Sequence, residues 1–208
     1  DIGCGSGDHL DALSTYGYDL LGVDLNPKML EYARSLFPHI AFDMGDMQTY
    51  HSDKKFDVLA CICTTFCVNQ TNADIQKTMQ AFYDLIADDG LIMIDVFNPI
   101  YFLKEGGFPH QIDYNPAAYA QHNLNAMIDM DVNIETQSID CVRHIHDLTT
   151  QELKATEEYS FRLFFPQELR YILEQNGFEF LSFYGDFDIT HPQLDQNRLI
   201  IIGRKKGL

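Results

Sequence analysis

The 208-residue sequence predicts a doubly wound α/β domain, a mainly parallel sheet covered by helices, with an antiparallel β meander inserted late in the chain. Three observations point there. Runs such as FDVLACIC and LIMIDVF lack the alternation of a half-solvated strand and read as strands buried on both faces. Segments with apolar residues at helical spacing lie between such runs, so strands and amphipathic helices alternate. From Tyr114 the texture changes to partial alternation broken by polar turns, as in an antiparallel sheet.

The elements follow in order. After a glycine-rich turn, DIGCGSG, the stretch DHLDALSTYG places Leu10, Leu13 and Tyr16 on one helical face and stops at Gly17. YDLLGVDLNP reads as a buried strand ending at Asp24, then Asn26 as helix cap and Pro27 in the first helical position, with the helix running to Pro38. HIAFDMGDM is a short strand and turn, and FDVLACIC a further strand. ADIQKTMQAFYDLIA is a helix with Ile75, Met79, Phe82, Leu85 and Ile86 inward, and DDG turns the chain into LIMIDVF. NAMIDMDVNI, SIDCVRHIHDL and LKATEEYSFRLFF make the meander. Pro166 opens a last helix that buries Leu169, Ile172 and Leu173 and stops at Gly177, and FEFLSFYGDF and RLIIIGRKK are closing strands. The implied division is 1–113 for the first part of the α/β domain, 114–165 for the meander and 166–208 for the C-terminal return.

Composition narrows the partners. Lys and Arg number 14 against 31 Asp and Glu, a net charge of −17 that repels phosphate backbones, so no nucleic acid is expected and a neutral or cationic ligand suits the surface better. No apolar run reaches bilayer length, so no membrane partner is expected. Five irregularly spaced cysteines imply reduced thiols and a cytoplasmic location, and Cys61 and Cys63 match no zinc spacing, so no metal is expected. A second copy of the chain is the protein partner left open.

The glycine turn is not a phosphate loop of either common kind. Gly3, Gly5 and Gly7 alternate evenly instead of following G-x-G-x-x-G, no Gly-Lys-Ser/Thr follows, and Asp1 would repel an anion. DIGCGSG resembles the first motif of class I S-adenosylmethionine-dependent methyltransferases. Other segments agree: Asp24 is similar to the acidic residue that accepts both ribose hydroxyls there, Gly45–Met47 (GDM) resembles the adenine segment, with Asp46 accepting from the exocyclic amine, and RLIIIGRKK resembles the closing strand. The resemblance implies a seven-stranded Rossmann-like sheet with S-adenosylmethionine as cofactor and S-adenosylhomocysteine as product. It places Asp1 near the cofactor's amino group, the three glycines against its methionine moiety, and Leu25, Met29 and Met47 near ribose and adenine. Ile62, Cys63 and Thr64 would flank the methyl donor. The family's apolar first strand and lid helix should precede Asp1 and do not stand in this sequence, so the resemblance implies a fragment, poorly stable alone.

The meander and GSGDHL, similar to GTGTHL, resemble amino-sugar and glycine or sarcosine N-methyltransferases, which implies a small-molecule acceptor, amine or hydroxyl, methylated by in-line displacement. Thr64, Tyr159 and Arg162 are candidate acceptor-binding residues. His144 and His146, two apart on a strand, share one face, either as candidate catalytic base for an oxygen acceptor or as part of a solvated polar face, with Cys141 and Arg143 pointing the other way. His9 caps or packs the first helix. CTTF stands where nucleic-acid amino-methyltransferases carry Asn-Pro-Pro-Tyr. Two alternatives stay open: a non-catalytic S-adenosylmethionine-binding regulatory module, and an aminopropyl transferase, whose GGGDG loop this turn matches less well.

Overall fold

A computed structural model describes residues 1–114, 119, 122–187 and 194–207. Residues 115–118, 120 and 121 of the expected meander segment lie outside the described residues.

Two short strands, β1 (Leu21–Asp24) and β2 (Ala41–Met44), pair in parallel, and β3 (Phe56–Cys61) pairs in parallel with β4 (Ile86–Phe97). Ile2 joins the two pairs: it forms a parallel bridge to Val23, and its N–H donates to Ala60 O at 2.8 Å. Beyond β4 the strands run antiparallel, β4 to β10 (Arg198–Lys205) and β10 to β9 (Phe178–Tyr184). The spatial order is therefore β2, β1, Ile2, β3, β4, β10, β9, a mixed sheet.

Helices cover it. α1 (Asp8–Ser14) and α2 (Pro27–Leu36) bury Leu10, Leu30 and Ala33 with Phe42 of β2 in one apolar cluster. α3 (Asn72–Leu85) and α5 (Pro166–Gln175) place Ile75, Met79, Phe82, Leu169 and Leu173 in the main core with Ile92 and Ile94 of β4. The starts follow local chemistry. Asn26 Oδ1 accepts from the N–H groups of Lys28 and Met29, and Thr71 and Asp74 cap α3 reciprocally, each side chain accepting the other's N–H at 3.1 Å.

Four differences from the sequence expectation have physical causes. DDG is no separate turn: β4 begins at Ile86, directly after α3, and carries a register shift opposite Phe56 and Val58 with Asp89 at φ +62°. Gly90 permits it, since a Cβ there would meet Ile86 Cγ2 at 2.7 Å. The start of β3 is not buried on both faces, because among the described residues no strand extends along that edge past Ile2, and Val58 stays 57% exposed. Asn98 and Pro99 open a short helix, α4 (Pro99–Lys104), that the apolar pattern hid. The antiparallel sheet also starts earlier than 114, with β5 (Gln111–Tyr114) ahead of β6 (Leu124–Asn133), β7 (Ser138–Asp147) and β8 (Leu153–Arg162), paired in that order.

This second sheet lies against the mixed one. Gln70 Nε2 donates to Ser160 O at 2.8 Å, Gln137 Nε2 donates to Glu168 of α5 at 2.9 Å, and the rings of Phe97 and Phe161 meet edge-on with centroids 5.5 Å apart. No described helix is long and apolar enough to cross a membrane.

Candidate active site

The parallel strands β1, β2 and β3 end at Asp24, Met44 and Cys61, and the loops leaving them form one edge, the place where open α/β sheets gather ligands. The glycine turn packs into this edge. Gly3 and Gly7 need to be glycine twice over: both have left-handed φ (+77° and +83°), and a Cβ would stand 2.2 Å from Thr65 Cγ2 or 2.7 Å from the Phe42 ring. Gly5 also has positive φ, but the nearest neighbour of its missing Cβ is Met29 Cε at 3.8 Å, so its surface stays open.

Asp24 ties the turn to the strand ends. Its Oδ2 accepts the Gly5 N–H and its Oδ1 the Asn26 N–H, both at 2.8 Å, while its backbone oxygen accepts the Gly45 N–H at 3.0 Å. Each carboxylate oxygen keeps lone-pair capacity for a further donor. Asp46 Oδ1 accepts the Gln48 N–H at 2.8 Å, which shapes the turn after β2, and Met47 Sδ receives Asn69 Nδ2 at 3.4 Å from the turn after β3. Leu25 is 65% exposed. Asp1 Oδ1 is a buried acceptor without a partner, and Asp1 shares a small pocket with Leu21, Val58 and Leu85.

The loop after β3 is strained. Ile62 is buried, and Cys63 and Thr64 follow as two consecutive non-glycine residues in the left-handed region, at φ 55° and 62°. Asp95 of β4 holds them: its fully buried carboxylate accepts the Cys63 N–H at 2.8 Å and pairs with Arg198. Burial pushes this carboxyl above its ordinary range, and Arg198 and the backbone N–H groups of Cys63 and Thr64 pull against that without overcoming it. Its Oδ1 has no partner. The exposed Cys63 Sγ lies 3.8 Å from His9 Nε2 of α1, so His9 stands at this edge instead of capping its helix. Neither Asp95 nor Arg198 was singled out from sequence, although an aspartate inside the apolar LIMIDVF was a signal.

A cavity of about 540 Å³ begins at Cys63 and Thr64 and extends between the mixed sheet and the antiparallel one. Thr64 and Tyr159 line it, as do Cys141 and Arg143 of β7. Arg162 does not; it pairs with Glu168 at 2.9 Å and stacks on Phe164, tying β8 to α5. His144 and His146 do not line it either. Strand alternation turns them to the opposite face from Cys141 and Arg143, and His144 Nε2 sits 3.2 Å from Asp129 Oδ2. The reading of these histidines as a base at the acceptor is corrected to that of a polar outer face. Phe97, Phe102 and Phe108 also line the cavity and were missed; FNPIYF carried the cue in the helix start that α4 uses.

A glycine turn and acidic strand ends thus meet at the carboxyl edge of a mixed α/β sheet, where open α/β folds gather ligands. Residues 1–90 match the family model described as a methyltransferase domain. Over 216 residues the chain is 26% identical to a glycine/sarcosine N-methyltransferase of Aphanothece halophytica, covering 99% of this chain and 75% of that protein. It is similar in structure to an S-adenosylmethionine-dependent methyltransferase from Clostridium acetobutylicum, with TM-score 0.83 at 15% identity over 100% of this chain and 83% of that one. It is also similar to an S-adenosylmethionine-bound amino pentose methyltransferase from Micromonospora echinaspora, with TM-score 0.73 at 18% identity over 99% and 82%. Residues 1–90 thus match a methyltransferase domain, and the chain has the Rossmann-like fold of the S-adenosylmethionine-dependent methyltransferases it is similar to.

Proposed function

We propose that the chain methylates an amine nitrogen of a small molecule held in the cavity behind Cys63 and Thr64. The observation that carries this is the shared loop: the residues that end β3 border both the glycine-turn edge and the cavity. The names of its relatives, which act on glycine, sarcosine or an amino pentose, support nitrogen as the attacked atom.

The edge suits the cofactor. Asp24 has lone pairs left for ribose hydroxyls, and the open surface of Gly5 admits close approach of the methionine moiety, with Asp1 assigned to its amino group. Leu25 and Met29 would flank the ribose, Asp46 and Met47 the adenine, and Ile62 and Cys63 the methyl-bearing end. S-adenosylmethionine supplies an electrophilic methyl group on a sulfonium and departs as a neutral thioether.

The chain's own contribution is placement and dryness. The Asp95 anchor fixes the Cys63–Thr64 loop beside the place where the two reactants would meet, and the aromatic walls exclude water from the acceptor. Among the described residues lining the cavity there is no histidine, aspartate or glutamate to serve as base. An amine entering as its free base needs none to attack, whereas a hydroxyl does. The test is calorimetric binding of S-adenosylhomocysteine together with turnover of S-adenosylmethionine against a panel of primary and secondary amines and matched alcohols. Turnover of amines and not alcohols is expected; binding without turnover of any amine would return the regulatory-module reading to favour.

A further inference from the structure

The wall of the cavity carries more information than its entrance. Six aromatic side chains among the described residues line it, and five of them are ordered against one another: Phe102 stacks on Phe108 at 4.1 Å between centroids, and Phe161 meets both Phe97 and Tyr159 edge-on at 5.5 and 5.3 Å. Such a lining takes a flat apolar body. Its volume of about 540 Å³ is in the range that holds drug-sized ligands and far exceeds the needs of a two-carbon amino acid.

Among the described residues one charged side chain, Arg143, lines this space. Arg143 lies between the rings of Tyr114 and Tyr159, 5.0 and 4.9 Å from their centroids, with Nη1 on Glu157 at 3.0 Å and Nη2 on the Tyr159 hydroxyl at 3.2 Å. Its Nε is buried and has no partner. Because the Tyr159 oxygen accepts from Arg143, its own O–H proton is free to be donated. The guanidinium charge and the Tyr159 O–H thus point to a ligand that brings oxygen acceptors. Glu157 compensates the guanidinium from its half-exposed side, where solvent screens the pair, and so leaves part of the charge for a second anion in the cavity. No carboxylate lines the described cavity to receive an ammonium, and a doubly charged diphosphate would find a single cation there.

Resting on the reading of this cavity as the acceptor site, we propose that the acceptor is a monocarboxylate with a flat, aromatic-sized apolar body, its carboxylate received by the Arg143 guanidinium and the Tyr159 O–H. The class is wider than glycine and narrower than a nucleotide sugar. Amino-substituted aryl or arylalkyl carboxylates fit it.

The probes are 3-phenylpropanoate, its primary amide, 2-phenylethylamine and glycine, titrated by calorimetry into the full chain with and without S-adenosylhomocysteine. The carboxylate is expected to bind about tenfold or more tighter than the other three, since a charge-assisted hydrogen bond separates it from the amide and the amine, and the buried apolar body separates it from glycine. Arg143→Lys, which keeps the charge but loses the planar guanidinium held between the two tyrosine rings, and Tyr159→Phe are each expected to weaken the carboxylate about tenfold and to leave S-adenosylhomocysteine affinity within twofold of the parent. Equal binding of the amide or the amine, or a carboxylate affinity unmoved in both folded variants, overturns the proposal. A chain that takes the carboxylate selectively but never S-adenosylhomocysteine would sink the methyltransferase site and leave the ligand class standing. Circular dichroism identifies a variant that fails to fold, and the other then decides.

Discussion

Replacing Asp24 separates a cofactor ligand from a mere turn residue. Its two oxygens accept the Gly5 and Asn26 N–H groups at 2.8 Å each, leaving one further acceptor direction per oxygen for ribose hydroxyls. Asparagine keeps one oxygen and sets an NH2 group against a backbone N–H, so one of the two ribose contacts is lost and the other becomes neutral. A charge-assisted hydrogen bond contributes about 1.5–3 kcal/mol, so Asp24→Asn is expected to weaken S-adenosylhomocysteine binding about 10- to 100-fold, at 1.4 kcal/mol per tenfold. Asp24→Ala removes both contacts and is expected to cost more than about 100-fold in affinity and about 1–3 kcal/mol in folding stability, because two partly exposed N–H groups lose their acceptor. Calorimetry measures the first quantity and urea titration the second. Were the alanine variant to fold and still bind within threefold of the parent, Asp24 would be a structural cap only and the ribose assignment would fall.

Gly3→Ala combines a left-handed φ with a Cβ 2.2 Å from Thr65, so urea titration should show a loss of about 2–4 kcal/mol, whereas Gly17→Ala, at φ +78° with nothing near its Cβ, should lose only about 1–2 kcal/mol. For Asp95 the charged form is disfavoured by folding, because burial holds its carboxyl above the ordinary 3.8. Its contribution is most favourable below that value and declines as pH rises from 3.8 through the folded-state value, so Asp95→Asn should flatten that part of the stability curve; parallel curves for parent and variant would contradict it. Cys63 is the exposed thiol, while burial lifts Cys4 and Cys141 to about 11 and Cys67 to about 12, so iodoacetamide should label Cys63 first by mass spectrometry. The Cys63 thiol is itself raised by burial, so labelling should quicken as pH rises, and bound S-adenosylhomocysteine should slow it.

Where a residue's fate depends on its near neighbours in sequence, the sequence was enough. Asn26 and Pro27 start α2, Asp24 ends β1, and the alternation of β7 already separated Cys141 and Arg143 from His144 and His146. What that alternation lacked was a sign for which face met the cavity, since a histidine pair draws the eye and an arginine beside a cysteine does not. The sign comes from distant partners: Tyr114 on β5 and Tyr159 on β8 frame Arg143, and no local pattern links those positions. The β4 boundary was hidden for a similar reason. DDG carries turn chemistry, and its use as a bulge depends on pairing with β3, some thirty residues back.

The Cys63–Thr64 loop makes the two halves of the site one device. Two successive left-handed residues that are not glycine cost about 1–2 kcal/mol each, so the chain by itself would relax. The buried Asp95 carboxylate opposes that relaxation through the Cys63 N–H, and it is kept in place by Arg198, which reaches it from β10. Strand β10 therefore sets the position of a loop that follows β3, although β4 stands between them in the sheet. The unpartnered Asp95 Oδ1 shows that this anchor is not optimised for stability alone, since a fully satisfied carboxylate would hold the loop at less cost. A loop that borders both the glycine-turn edge and the cavity gains one fixed position from such an anchor, because a glycine pair in place of Cys63 and Thr64 would remove the strain and with it that single position.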